Sequence, residues 1–233
     1  TIPTETRETR FTHRCKQEYP LHNYRRLAQL MHLLREQMAS RMTTEDEDLV
    51  DRIAASVTRM NSLINDLLAL ARVSQGQLQR MRVNLSELAE DVIRQERHRD
   101  PTRIVQVKIA PGLMANCDAR MAHIVLENLL GNAWKYTRQQ ARPRIELSQV
   151  NTPPGEAPVF CVRDNGAGFE MTRSERLFQP FTRLHSPSEF EGTGIGLATV
   201  RRIIERHGGD ITAISAPGEG ATFSFSLGDA PAS

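Results

Sequence analysis

The 233 residues are enough for two modest domains, each with its own core. A net charge of +2 with 25% charged residues leaves no basic stripe for tracking nucleic acid and no acidic tail. Cys15, Cys117 and Cys161 are odd in number and widely spaced, without a CxxC pair, which argues against a disulfide framework or zinc site and fits a reducing cytoplasm. No apolar run approaches the roughly 20 residues of a membrane span, and the opening TIPTETRETR lacks a signal-peptide core. Its abrupt polar start leads us to expect an upstream sensor or membrane part.

Residues 1–80 read as a helical hairpin. Apolar residues recur at Leu27, Leu30, Met31, Leu34 and Met38, then at Leu49, Ile53, Val57, Met60, Ile64, Leu67, Leu68 and Ala71. Steps of three and four give each helix one apolar face. Between them Thr44, with Glu47 three residues on, is the expected N-cap of the second helix. The short connection makes the helices antiparallel neighbours, and two such helices cannot enclose a core. A second copy of the chain would close a four-helix bundle; the alternative is that both helices pack on the rest of the chain.

Residues 81–229 alternate between helix and strand. Helices are expected at Ser86 to Glu96, with Ser86 as cap, at Asp118 to Thr137, and from Gly196 to His207, stopping at Gly208 and Gly209. Strands are expected at Ile104 to Ile109, Arg144 to Val150, Val159 to Arg163, Asp210 to Ser215 and Ala221 to Leu227. The segment NTPPGEAP is the turn between the second and third of these. The result is an α/β sandwich with one helical layer and one largely antiparallel sheet.

Four stretches of this second domain carry chemistry. In ENLLGNAWKYT, Asn128 and Asn132 share a helical face, with Lys135 and Tyr136 a turn further on. Amide oxygens suit a hard cation such as Mg²⁺ and a lysine suits phosphate. In DNGAGF, Asp164 ends a strand, while Gly166 and Gly168 permit close backbone approach. LFQPFTRLHS offers Arg183 after two aromatics. GTGIGLATV opens a helix whose free N–H groups favour an anion such as a polyphosphate. This glycine loop follows no strand of a βαβ unit and lacks the Lys-Ser/Thr pair of a P-loop. Each stretch alone reads as a plain turn or surface pair; their order and spacing together carry the signal.

That order, ENLLGNAWKYT, DNGAGF, LFQPFTRLHS, EGTGIGLATV, RHGGDI and PGEGATFSFSL, resembles the catalytic and ATP-binding domain of sensor histidine kinases, in the GHKL ATPase class. RLHSPSEFEGTGIGLATV and ERHGGDI are closest to the bacteriophytochrome-like branch, and NSLINDLLALARVSQG resembles the second helix of the family's dimerisation and phosphotransfer hairpin. The resemblance runs from Phe11 to Leu227. It implies an α+β chain, a dimeric four-helix bundle of hairpins followed by a GHKL-type α/β sandwich, that binds ATP and Mg²⁺. Asn132 is then the principal Mg²⁺ ligand with Asn128 beside it, Lys135 and Tyr136 face the phosphates, and Asp164 accepts the adenine amino group. Gly166 and Gly168 shape the adenine floor, and Arg183 with Leu184 to Glu191 forms the lid. Gly192, Gly194 and Gly196 cradle the phosphates, with Thr193 and Leu197 in the same stretch and Thr222 near the adenine.

The first helix departs from the family. There a His and an acidic residue precede a Pro-Leu pair, and counting back five places from Pro20-Leu21 puts Cys15 at the phosphoacceptor position with Lys16 in place of the acid. At 100° per residue Cys15 lies about 120° from the Leu27 stripe, off the core seam, whereas His13 lies only about 40° from it. His13 therefore reads as a packed histidine, and His22, beyond the Pro-Leu pair, as a surface residue. A thiol is a poor substitute for an imidazole nucleophile kept basic by a carboxylate. Tyr19 stands where the family often has a small polar residue for phosphatase action. Two readings follow: a two-component histidine-kinase core acting with a response regulator receiver domain, or a pseudokinase that dimerises and regulates a partner histidine kinase or response regulator without autophosphorylation.

Overall fold

A computed structural model describes residues 42–73, 77–150, 152–153, 155–186 and 189–228, together with Leu30 and Leu33. Of the expected first helix, His13, Cys15, Lys16, Tyr19 and His22 lie outside the described residues. The chain divides into two units, Thr1–Asn65 and Asp66–Ser233.

Helix α1 (Thr44–Val73), most of which belongs to the first unit, begins at a capping pair one residue earlier than the sequence indicates. Thr43, not Thr44, is the cap. Its Oγ1 accepts from the Asp46 N–H at 3.3 Å and its own N–H donates to the Asp46 carboxylate at 2.9 Å, so the reciprocal acid is Asp46 rather than Glu47. Leu49, Ile53 and Met60 on α1 are exposed within the single chain.

Beyond the end of α1, the second unit holds two sheets, three α-helices and one 3-10 helix (Met171–Arg176) among its described residues. Strands β1 (Met81–Asn84) and β3 (Met114–Cys117) form a small antiparallel pair; β2 (Gln106–Ile109), β4 (Arg144–Val150), β5 (Val159–Asp164), β6 (Ile211–Ala216) and β7 (Gly220–Ser226) form the main sheet in the order β2-β4-β5-β7-β6. Only the β2–β4 pairing is parallel. The expected strands are present, the first shortened to Gln106–Ile109, but the small pair β1–β3 was not foreseen. Four residues with mixed burial give too short an alternation to stand out from a loop.

Helices α2 (Leu85–Arg99), α3 (Ala119–Tyr136) and α4 (Gly196–Arg206) are packed on this framework. Ile145 and Leu147 of β4, Phe160 and Val162 of β5, and Phe223 and Phe225 of β7 alternate into one face and meet the apolar stripe of α3, whose Val125, Leu126, Leu129 and Leu130 are buried at helical spacing. Burial of these side chains at about 1.5–3 kcal/mol each is the principal stabilising contribution. The opposite face of the sheet is more open, with Ile214 largely exposed.

Ser86 is not the cap of α2. Asn84 holds that position, accepting from the Ser86 N–H at 3.1 Å. The Ser86 hydroxyl instead donates to Ala110 O and accepts from Leu113 N–H, tying the helix start to the β2–β3 turn. Helix α3 begins as expected at Asp118, whose carboxylate accepts from the N–H groups of Arg120, Met121 and Gln79. Burial opposes its ionisation, but these backbone donors outweigh that effect and hold its carboxyl below the ordinary range. The neighbouring His207, the last residue before the Gly208 turn, is fully buried; its Nδ1 donates to Ile203 O at 2.8 Å and its Nε2 accepts from Asp118 N–H at 3.1 Å. Both ring nitrogens are thus used by a neutral imidazole, and burial keeps its pKa below the ordinary value. Asp118→Ala is expected to destabilise the second unit by about 2 kcal/mol, at the upper end for a helix cap, because buried donors lose their acceptor. Urea unfolding measures this, and a loss below about 0.5 kcal/mol would show the cap to be redundant.

Candidate functional site

Helix α3 presents two faces. One is the apolar stripe; the adjacent one carries Asn128, Asn132 and Lys135 at intervals of four and three residues, half-buried on the wall of a cavity. The Asn128 amide nitrogen donates to Ile124 O at 2.8 Å, which leaves its Oδ1 directed at the start of α4. A Cβ built on Gly196 would stand 2.2 Å from that oxygen, so a larger residue there would push the Asn128 amide from its present place. Helix α4 has neither a side-chain cap hydrogen bond at Ile195 nor an acidic residue in its first turn. Its first N–H groups and positive dipole end are therefore left to a ligand. Gly192, Thr193, Gly194 and Leu197 of the same stretch also line the cavity.

The opposite wall comes from the end of β5 and the loop after it. Asp164, buried, accepts from Gly166 N–H at 2.8 Å. Burial raises its pKa to about 6 in spite of backbone hydrogen bonds from Gly166 and Ala221 that act the other way. Gly168 and Phe169 follow it into the cavity lining, and Ala221 and Phe223 of β7 complete this side.

The third side is the segment around Arg183. Arg183 donates through Nη2 to Phe190 O, and the Glu189 carboxylate accepts from Ser186 N–H at 3.0 Å. His185 and Phe190 gather on Tyr136 of α3, with ring centroids 5.1 Å and 4.9 Å from it and 5.1 Å from each other. Such a trio is an apolar clasp between the segment and the helix. Lys135 Nζ lies 4.3 Å from the Tyr136 ring centroid. Its pKa falls to about 8, mainly through burial and then through the nearby Arg183 charge, with Glu191 acting in opposition. The cavity thus combines two amides, two cations, a helix N-terminus and one buried carboxyl.

Of the residues singled out from sequence, Asn128, Asn132, Lys135, Tyr136, Asp164, Gly168, Arg183, Gly192, Thr193, Gly194, Gly196 and Leu197 are brought around this one cavity. Two are not. Gly166 lies behind the wall, packed so that a Cβ would meet Tyr136 O at 2.6 Å. Thr222 sits between Ala221 and Phe223, which both line the cavity, and strand alternation turns it to the other face of the sheet. Cys15 lies outside the described residues. His185 and Phe190 fall within the lid segment expected at Leu184 to Glu191, whereas Phe169, the last residue of DNGAGF, was given no role from sequence and lines the cavity.

The donor set also bears on a metal. Among the described residues no group of three or more His, Cys, Asp or Glu could hold a cation. Asn128 and Asn132, with amide oxygens only, fit an ion such as Mg²⁺ that keeps waters and takes its remaining ligands from phosphate.

Residues 117–231 match the family of histidine kinase-, DNA gyrase B- and HSP90-like ATPases. Cyanobacterial phytochrome B of Nostoc sp. is 38% identical over 173 residues, 73% of this chain and 23% of that protein. Phytochrome-like protein Cph1 of Synechocystis sp. is 32% identical over 197 residues, 84% of this chain and 26% of that protein. The chain therefore spans about a quarter of the length of these relatives. Full-length ShkA, solved in complex with AMPPNP, superposes with a TM-score of 0.67 at 25% identity over 98% of this chain and 47% of its own. No helix among the described residues is long and apolar enough to cross a membrane. The chain belongs to the sensor histidine kinases, and its second unit carries their GHKL-type ATPase domain.

Proposed function

We propose that this chain is the ATP- and Mg²⁺-binding core of a two-component sensor kinase, made of a dimerising hairpin over residues 1–80 and a catalytic ATP-binding domain over residues 81–229, with Cys15 where the phosphoacceptor histidine usually stands. The observation that carries the reading is the convergence of Asn128, Asn132 and Lys135, the uncapped start of α4 and the buried Asp164 on one cavity. AMPPNP in the ShkA structure supports an adenine nucleotide as its occupant.

In this reading the Asp164 carboxylate accepts the adenine amino group, and the floor beside it is formed by Gly168 and Phe169. The amide oxygens of Asn128 and Asn132 would hold Mg²⁺, which would supply charge neutralisation to the phosphates. Lys135 and Arg183 face the same phosphates, and the α4 N–H groups receive the oxygens that carry charge as transfer proceeds. Tyr136, held between His185 and Phe190, closes the site against water. In transfer, the bond from the γ-phosphorus to the β,γ-bridging oxygen breaks as a bond to an acceptor nitrogen forms, and ADP leaves. The acceptor is a histidine of this chain, of a paired subunit or of another protein, and a response regulator receiver domain is the next recipient. Exposed Leu49, Ile53 and Met60 on α1 support a homodimer through the hairpin.

The Cys15-Lys16 pair favours a second reading, a pseudokinase whose nucleotide occupancy changes its binding to a partner kinase or response regulator. Incubation with γ-labelled ATP and Mg²⁺ separates the two, run on the native chain and on a Cys15→His, Lys16→Glu variant with nucleotide binding measured in parallel. Label on the native chain supports the kinase reading, and mapping it names the acceptor. Label on the variant alone supports an ATP engine without an acceptor. A native chain that binds no adenine nucleotide would remove both.

A further inference from the structure

We propose that Arg103, on the segment between α2 and β2, is a positioning residue of the nucleotide site: it clamps the last turn of α3 so that Lys135 and Tyr136 are held at the cavity wall. The proposal rests on the reading of that cavity as a nucleotide site.

A helix leaves its last carbonyls without intrahelical partners. At the end of α3 those carbonyls are taken up one by one. Ala133 O accepts from the Thr137 N–H at 3.2 Å and from its hydroxyl at 2.7 Å. Trp134 O accepts from Arg103 Nη1, Lys135 O from Arg138 N–H at 3.2 Å, and Tyr136 O from Ala167 N–H at 3.1 Å. Arg103 and Ala167 are the partners remote in sequence. Arg103 is attached in three ways. Its second nitrogen donates to Thr137 Oγ1 at 2.9 Å, and its guanidinium carbon lies 5.1 Å from the centroid of the Trp134 ring. Thr137 and Trp134 are both buried. A planar fork reaching a carbonyl and a hydroxyl while lying over an indole is a role for arginine that lysine cannot copy. A cation at this end also complements the helix dipole.

Lys135 and Tyr136 are the residues immediately after the clamped Trp134 and before the capping Thr137. Their side chains make the cation and ring of the cavity wall, whereas Asn128 and Asn132 sit one or two turns back in the well-packed part of α3. Loss of Arg103 therefore frees the end of the helix more than its middle, and the phosphate-facing cation is the group displaced.

The test is ATP affinity with Mg²⁺ by calorimetry on the full chain, between pH 6 and pH 10, for the native protein and for Arg103→Met, Arg103→Lys and Thr137→Val. The native single tryptophan, Trp134, reports by its emission whether the helix end has opened. Arg103→Met is expected to weaken ATP about tenfold at pH 7, with Arg103→Lys restoring only part of the loss. The alkaline fall in affinity should move to higher pH, because a freed Lys135 meets more water, a shift that loss of stability alone does not produce. Thr137→Val keeps the packing and removes only the hydroxyl, so it gives a smaller change in the same direction and stands in if Arg103→Met does not fold. Native affinity and an unmoved alkaline midpoint in folded Arg103→Met, or in Thr137→Val where Arg103→Met does not fold, would overturn the clamp while leaving the nucleotide site intact. A native chain without ATP affinity would instead overturn the reading on which the clamp rests.

Discussion

Gly168→Ala is expected to destabilise the second unit by roughly 3–5 kcal/mol and to abolish nucleotide binding with it. Gly168 has φ 62°, and a Cβ there would lie 1.9 Å from Ala216 O, 2.9 Å from Ala216 C and 3.0 Å from Gly220 O. All three are backbone atoms at the β6–β7 turn, so no side chain can swing aside. The loop from Asp164 to Phe169 has to retreat from the hairpin. It then loses the bond from Gly218 N–H to Ala167 O at 2.7 Å, and it carries Asp164 away from the cavity. Gly112→Ala is the control. That residue has φ 70° but nothing within 4 Å of the added carbon, so it isolates the backbone strain, about 1 kcal/mol. Thermal unfolding should lower the melting temperature of Gly168→Ala by ~10 °C, several times the effect at Gly112. Equal shifts in the two variants would mean that the loop and hairpin are free to part.

The second large effect concerns pH. In the proposed nucleotide site Asp164 accepts from the adenine amino group better as a carboxylate, and burial raises its pKa to about 6. Ligand binding to the ionised form is therefore linked to proton release below that value, and affinity falls as pH drops through 6. In the same proposed site Lys135 attracts phosphate only when protonated, and burial and the Arg183 charge lower its pKa to about 8. Affinity must then fall as pH rises through 8, and a plateau lies between the two values. Each limb approaches about tenfold per pH unit. Calorimetry on native, Asp164→Asn and Lys135→Met proteins measures this. The Asn variant should lose the protein's contribution to the acid limb, and the Met variant should lose the alkaline limb. An alkaline limb that persists unchanged in Lys135→Met would show that another group controls it.

Sequence and structure differ where local chemistry allowed two solutions. Thr44 and Ser86 each satisfy the composition of a cap, but Thr43 and Asn84 take those positions. A one- or two-residue shift in where a chain enters its helix depends on the packing of the preceding turn, which short-range patterns do not record. The Ser86 hydroxyl was free to bridge Ala110 and Leu113 because Asn84 had already closed the helix. For β1 and β3 the partner is distant in the chain, and four residues do not announce a pairing that only α2 brings together.

Resemblance of its ordered motifs pointed to the family, while helical and strand spacing determined the α/β sandwich of the second domain and the placing of Asn128, Asn132 and Lys135 on one face of a helix. Those properties are periodic or local, so the one-dimensional order contains them. Only the tertiary structure decided which way each strand residue turns, and so left Thr222 out of the cavity while Ala221 and Phe223 entered it. It alone joined His185 and Phe190 to Tyr136, and set Arg103 on the carbonyl of Trp134, 31 residues away. The physical reason is that burial, which sets the pKa values of Asp164 and Lys135 and selects a single ring or fork geometry, arises from neighbours that the chain supplies from remote positions.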